Sequence, residues 1–379
     1  MALASERQEF ILATVREQGT VRLADLVDRL GVTAVTVRRD VTTLADRGLV
    51  ARVHGGVTLP YRGQGGQGAQ GPDERTARGA FASGRLPDQA FVGMVVPTVE
   101  YYWPAVIQGA QSAVAAAGGR LVLRASAYDA AEDRRQVTGL LERGVRTLLV
   151  APTNTGEAGQ DLLRWLGTLN IPVVLVERLP PPTLPTLPLD AVTTAHNLGA
   201  GLAVRHLVTL GHRRIAFITA RFSPTTKALR EGWRETIASL GLPDHEGLAH
   251  DVPPYGSAGW ADAYDATLRA CREAGATALF VHSDSEAIGL VERARDHGLT
   301  VPDGLAVITY DDEVAAAADP PLTAVRPQKH RLGALAAEMA LARAADPVER
   351  PVHRLQLWPT LVVRASCGGM AAATPPANR

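Results

Sequence analysis

Residues 31–56 read GVTAVTVRRDVTTLADRGLVARVHGG. Two adjacent guanidiniums, Arg38 and Arg39, sit inside a short helical pattern, in a chain whose formal net charge is +0. With Val37 taken as the centre of a buried face and 100° added per residue, Val41 and Leu44 fall on the same side. Arg39, Val35 and Thr42 then point away, and Arg38 and Thr36 lie on opposite flanks. The spacing predicts a helix from about Thr33, a suitable N-cap, to Arg47, with Gly48 stopping it where a left-handed conformation costs little. The outward face carries guanidinium, hydroxyl and methyl groups. These suit phosphates, guanine edges and thymine methyls in a DNA major groove.

Upstream, Phe10, Ile11 and Val15, then Leu23, Leu26, Val27 and Leu30, recur at helical spacing, punctuated by Gly19 and Gly31. A helix over 22–30, the GVT turn and the Thr33 helix together outline a helix-turn-helix. LVARVHGGV predicts the two strands of a wing, with Arg52 and His54 near its tip. An isolated RRD would suit a solvated basic face pairing with Asp40 and Asp46. Helix, turn, helix and wing in order within sixty residues favour a DNA reader instead. The combination of VTAVTVRRDVTTL with RVHGG resembles the DeoR family of winged helix-turn-helix repressors over residues 6–58. That resemblance implies a double-stranded operator as partner and a DNA site at Thr33, Ala34, Val35, Thr36, Arg38, Arg39 and His54. It stops there: the Asp-x-Gly-[ST]-Thr loop that usually follows in that family is not found.

The domain map expected from the sequence is a winged helix-turn-helix over 1–58, a flexible linker over 59–88, an effector domain over 89–366 and a disordered tail over 367–379. Residues 59–88 are rich in Gly, Gln and Arg and have little apolar periodicity, so they bury too little surface to offset ordering entropy. From Phe91 the pattern changes to continuous apolar runs: FVGMVVP, RLVLRAS, TLLVAP, PVVLVE, RIAFIT, ALFVHS and LAVITYDD. Such runs suit strands covered on both faces. Helical patterns at 103–117, 130–143, 196–210, 226–240 and 284–297 alternate with them, which argues for an α/β fold with parallel sheets. Seven strands over this length predict two lobes, with the Pro-rich RLPPPTLPTLPLD near 178–190 placed at the passage between them.

Two parallel-sheet lobes bind ligands at the carboxyl ends of their strands. The residues just past those ends include Glu177-Arg178, Ser283-Asp284 and Asp311-Asp312, and Tyr101, Tyr102 and Trp103 open the first helix. Carboxylates that accept pairs of hydroxyls, beside aromatic faces, fit a sugar ring. The alternative for the acids is helix capping, as at Asp284, and for the aromatics lobe packing. HLVTLGHRRIAFIT, VHSDSEAIGLVERARDHGLTVPDGLAVITYDD, DPPLTAVRPQ and WPTLVVRAS resemble the effector domain of the LacI/GalR repressors over roughly 91–366. This implies a two-lobed, type I periplasmic-binding-protein-like domain with effector contacts at Glu177, Ser283, Asp284 and Asp311; Tyr102, Trp103 and Arg178 join the expected site by their places at the cleft, and Arg230 as the neighbour of a family position. Two positions depart from that pattern: Leu229 stands where an Arg is usual, with Arg230 one place later, and Ser283 replaces an Asn. No hinge helix is evident where the Gly-rich segment lies.

Only two cysteines, Cys271 and Cys367, are present, with no zinc-ligand spacing, and no metal or cofactor is expected. The amino terminus lacks a signal-peptide core and no apolar run is long enough to cross a membrane, so a cytoplasmic protein is expected. GxGxxG after the first strand, HExxH, GxSxG and P-loop patterns are all missing, which disfavours an enzyme. The expectation is a ligand-responsive DNA-binding regulator, a repressor acting as a homodimer. The competing class is a sugar-binding transport protein, which would carry a signal peptide and no winged domain.

Overall fold

The computed structural model describes residues 4–18, 20–30, 32, 36, 37, 40, 41, 44, 50–53 and 56–58 of a first compact unit, and 91–221, 223–243 and 246–369 of a second. The two units divide at Gly71. The first opens with helix α1 (Ala4–Gln18), strand β1 (Thr20–Arg22) and helix α2 (Leu23–Leu30). Strands β2 (Ala51–Val53) and β3 (Gly56–Thr58) form the antiparallel wing, and β1, which the sequence patterns did not reveal, pairs antiparallel with β3. Val37, Val41 and Leu44 are helical and buried with Ile11, Val15, Leu26 and Val57. The face chosen from the 100° spacing is therefore the core face. Asp40 is bonded to α1, accepting from Arg7 Nε at 2.8 Å and Gln8 Nε2 at 3.4 Å.

In the second unit, β4 (Phe91–Val96), β5 (Arg120–Ala125), β6 (Leu148–Val150), β7 (Val173–Val176) and β8 (Asp190–Thr194) alternate with α3 (Trp103–Ala116), α4 (Ala130–Glu142) and α5 (Gly156–Gly167). After β8 come α6 (His196–Thr209), β9 (Ile215–Ala220), α7 (Thr226–Ser239), β10 (Ala249–Val252), α8 (Trp260–Glu273), β11 (Ala278–His282), α9 (Asp284–Asp296), β12 (Ala306–Tyr310) and β13 (Thr323–Arg326). Then α10 (Lys329–Ala345), β14 (Arg354–Leu357) and β15 (Thr360–Val362) complete the element order. The first-lobe sheet runs β14-β8-β7-β6-β4-β5 and the second-lobe sheet β10-β9-β11-β12-β13-β15. Every pairing in them is parallel except β13 with β15.

Each first-lobe face has its own core. Met94, Leu149, Val174 and Val192 pack under α3 and α10, whereas Val95, Leu148, Val150 and Leu175 pack under α4 and α5. Alternate residues of one strand thus serve opposite layers, which is why the runs are apolar throughout. Helices α3 and α10 approach through glycines. A Cβ on Gly109 would meet the His330 carbonyl oxygen at 1.9 Å, and one on Gly333 the Val106 carbonyl oxygen at 1.9 Å.

The chain passes between lobes three times: from β8 to α6, from β13 to α10 and from β14 to β15. The Pro-rich segment is not one of these passages. It joins β7 to β8 within the first lobe through successive turns, in which the Leu184 N–H donates to the Pro181 carbonyl at 2.9 Å and the Leu187 N–H to the Leu184 carbonyl at 3.4 Å. At the expected boundary with the tail, Ser366 and Cys367 are buried and the Ser366 hydroxyl donates to the Val307 carbonyl at 2.6 Å, while residues 370–379 lie outside the described residues. The 59–88 linker lies outside the described residues.

Candidate effector cleft

The carboxyl ends of both sheets face one cleft of about 210 Å³. From the first lobe it is lined by Tyr101, Tyr102, Trp103, Tyr128, Glu177 and Arg178. His196, His282, Ser283, Glu286 and Asp311 line it from the second lobe, with the Ser223–Thr225 turn. Tyr101, Glu177 and Asp311 hold φ at +53°, +56° and +106°, in the left-handed region that side chains avoid. Backbone held this way is characteristic of ligand sites, where surrounding structure dictates it.

Glu177 follows β7 and is buried at the first lobe's edge. Its carboxylate accepts from the Thr194 backbone N–H at 3.0 Å, Thr194 Oγ1 at 2.6 Å, Thr193 Oγ1 at 3.2 Å and the Tyr102 hydroxyl. His196 Nε2 stands 3.2 Å away on the same carboxylate, and His196 Nδ1 reaches the Tyr310 hydroxyl at 2.7 Å. Burial pulls the Glu177 carboxyl upward, but the His196 charge and these bonds outweigh it and hold it at about 2. Burial and the adjacent Glu177 charge push the Tyr102 phenol well above its ordinary range. Glu177 is thus a saturated brace, whose chain of bonds runs from Tyr102 across the first passage to Tyr310.

Asp311 is the opposite case. It is buried after β12 and its N–H donates to Val325 while its carbonyl accepts from Lys329 Nζ. Yet its carboxylate accepts no hydrogen bond among the described residues, and the His282 Nε2 lies 3.6 Å from Oδ2. Burial, then the nearby Asp284 charge, pushes this carboxyl up to about 8, and burial pushes the His282 imidazole down to about 4.

The remaining expected effector residues separate cleanly. Arg178 lines the cleft with one guanidinium nitrogen on the Glu177 carbonyl at 2.7 Å, and burial lowers its pKa. Trp103 lines the cleft while packing into the α3 core. Ser283 lines it too, but its N–H and hydroxyl both donate to the Glu286 carboxylate, at 2.9 and 2.7 Å.

Asp284 and Arg230 stand apart from the cleft lining. Asp284 is fully buried and does not line the cleft. It accepts from Thr309 Oγ1 at 2.9 Å and the Glu313 and Val314 N–H groups at 2.6 and 3.0 Å, fixing the turn after Asp311. Arg230 lies away from the cleft, paired with Asp251 of β10 and stacked on Phe217 at 5.7 Å, because its position on α7 faces the sheet edge while Leu229 takes the core.

His196 and His282 were not found from the sequence, whereas Tyr101 was singled out there as an aromatic at the start of the first helix. Tyr101 accepts at 3.3 Å from the Asp284 N–H across the cleft. Lone histidines gave no spacing signal. In the first unit, Thr36 is helical and half-buried. Thr33, Ala34, Val35, Arg38, Arg39 and His54 lie outside the described residues.

Comparison with known proteins agrees with both units. A family described as the DeoR-like helix-turn-helix domain matches residues 7–62, and one described as a periplasmic binding protein-like domain matches residues 204–367. The HTH-type transcriptional regulator in the aml 5' region of Streptomyces limosus is 32% identical over 294 residues, 74% of this chain and 80% of that protein. The ribose operon repressor of Escherichia coli (strain K12) is 29% identical over 281 residues, 73% of this chain and 81% of the repressor. Among solved structures, a LacI family transcriptional regulator from Mycobacterium smegmatis is 26% identical, with a TM-score of 0.59, covering 73% of this chain and 98% of that one. No helix among the described residues is long and apolar enough to cross a membrane. The chain belongs to the ligand-responsive, helix-turn-helix transcriptional regulators whose effector domain is of the LacI, periplasmic-binding-protein-like type.

Proposed function

We propose that the cleft takes a free sugar of monosaccharide size and that its occupancy releases a homodimeric repressor from operator DNA. One observation carries this reading: the Asp311 carboxylate is buried at the cleft and accepts no hydrogen bond among the described residues. A sugar supplies paired hydroxyls, which satisfy such an acceptor and strengthen with its charge. Tyr101, Tyr102 and Trp103 offer aromatic surface beside it, and the name of the ribose operon repressor fits the same ligand class. The volume, about 210 Å³, favours a single ring over a longer chain.

Because the cleft is built by both lobes, a ligand that binds one lobe closure better shifts the protein toward it, and operator affinity changes by no more than that difference. In the reader, Thr33, Ala34, Val35, Thr36, Arg38, Arg39 and His54 are proposed to meet the operator. The burial of Val37, Val41 and Leu44 supports that orientation. A thermal-shift screen of pentoses, hexoses and their phosphates tests the effector, since a ligand of the folded state raises stability by mass action. A free sugar should raise the melting temperature in the wild type and fail to do so in Asp311→Asn. Stabilisation by sugar phosphates alone would contradict the reading.

A further inference from the structure

A second cavity, of about 500 Å³, lies at the opposite end of the first lobe, by the amino-terminal ends of β7 and β8. Its wall is aliphatic, with Leu166, Ile171, Val173 and Pro188 contributing. The charged groups in its lining are Asp190, Arg343 and Arg350. Two of these cancel: Arg343 Nε and Nη2 hold the Asp190 carboxylate at 2.9 and 3.0 Å. Arg343 also donates to the carbonyls of Arg350 and Pro351, which fixes the backbone of the loop that carries Arg350. The Arg350 guanidinium has no carboxylate partner among the described residues, and its Nε is sealed from solvent without a hydrogen bond. Buried donors in folded proteins are nearly always paired, so this unpaired nitrogen is an exception among the residues that line the cavity.

From this we propose a second ligand site, distinct from the effector cleft, for a small monocarboxylic acid with an apolar body. The aliphatic wall takes the hydrocarbon, and the planar fork of Arg350 matches a carboxylate's two oxygens. A single uncompensated positive charge fits one negative charge. The site also lies at one end of a rod that reaches the cleft. Helix α10 has 17 residues, spanning about 25 Å at 1.5 Å per residue. Its first residue, Lys329, bonds the Asp311 carbonyl, and Arg343 in its last turn anchors the cavity loop.

The test uses the full chain and hexanoate as probe, observed by saturation-transfer NMR and titrated to a dissociation constant, with hexan-1-ol and hexylammonium as controls. Hexanoate should bind while both controls fail. Arg350→Gln should weaken it tenfold or more, and Asp311→Asn should leave it unchanged. Should Arg350→Gln unfold, Val352→Trp at the exposed rim serves instead, filling the cavity without touching the Arg343–Asp190 pair. Absence of hexanoate binding, equal binding of the alcohol, indifference to these variants, or loss on Asp311→Asn would each overturn the site. The last result would place the acid in the effector cleft.

Discussion

The Asp311 carboxylate and the His282 imidazole stand 3.6 Å apart in the cleft, both buried and neither in a strong bond to the other. With Asp311 raised to about 8 and His282 lowered to about 4, a neutral acid faces a neutral ring near pH 7. Burial above all, then Asp284, with Glu313 and Glu177, hold the Asp311 proton on, and Lys329 opposes them. An unfolded Asp loses its proton near pH 3.9, so between that value and about 8 the folded state holds a proton that the unfolded state has released. His282, protonated in the unfolded chain below about 6.5 but neutral in the fold down to about 4, opposes this slope, so the empty protein should lose stability mainly between about pH 6.5 and 8, and Asp311→Asn should remove that loss. Thermal melts across pH 4 to 8 read the difference; parallel curves for the two proteins would exclude Asp311 as its source.

Sugar binding is expected to ionise Asp311, since a carboxylate accepts hydroxyls better than the neutral acid. Effector affinity should rise with pH up to about 8, with proton release detectable by calorimetry in buffers of different ionisation enthalpy. Asp311→Asn should cost roughly 1.5–3 kcal/mol of effector binding while operator binding without effector persists. Asp284→Asn should instead lower stability, because its three hydrogen bonds are internal. Normal induction by Asp311→Asn would remove Asp311 from the site.

Replacing His196 by Phe should act through Glu177. Removing the imidazole takes away the main influence that lowers the Glu177 carboxyl, and burial then raises it from about 2. A depressed carboxyl contributes stability above its unfolded value of about 4.3 that disappears as pH falls. Acid unfolding should therefore begin at higher pH in His196→Phe, with a cost near neutrality of about 1–3 kcal/mol. An unchanged acid midpoint would show that the bridge contributes nothing.

Glycines in the first lobe separate close packing from helix propensity. Gly333→Ala sets a Cβ 1.9 Å from the Val106 carbonyl oxygen and should destabilise by roughly 1–3 kcal/mol through forced helix separation. Gly139→Ala on α4 meets nothing nearer than an Arg143 nitrogen at 3.6 Å, and should be neutral or gain up to about 1 kcal/mol. Denaturant unfolding compares the two; equal effects would contradict the close approach.

For the reader, Arg39→Ala should weaken operator binding by about 1–3 kcal/mol if the guanidinium reads a base. The measurement needs one fixed salt concentration, because phosphate contacts make affinity fall steeply with salt. Operator binding unaltered by both Arg38→Ala and Arg39→Ala would refute the recognition-face assignment.

The sequence was most legible where one physical pattern dominates. Seven strands, six of them inside their sheets, read as apolar runs because helices cover both sheet faces, and Val37, Val41 and Leu44 revealed the reader's core through a single period. Strands β8, β10, β13, β14 and β15 escaped because they are short, polar in part or at an edge, as in DAVTT and RLQL. The cleft was legible as a position, just past strand ends, but not as a division of labour. Nothing local distinguishes Asp311, left without a donor, from Asp284, enclosed by three. Arg230 illustrates the same limit: a shift of one residue on α7 turns a side chain from core to edge. His196 became visible only when β7, β8 and β12 were brought together.

The threefold passage between lobes has a consequence for the order in which the protein is made. Strand β14 completes the first-lobe sheet and β15 the second, so both sheets remain open until residues 354–362 have left the ribosome. All of residues 4–58 emerge before the first sensor strand exists. Synthesis is thus vectorial in function as well as in space: the half that reads DNA comes first, and the half that controls it is finished only with the last strand. A product terminated before Arg354 would carry the complete helix-turn-helix unit above two unfinished sheets, a reader separated from its own signal.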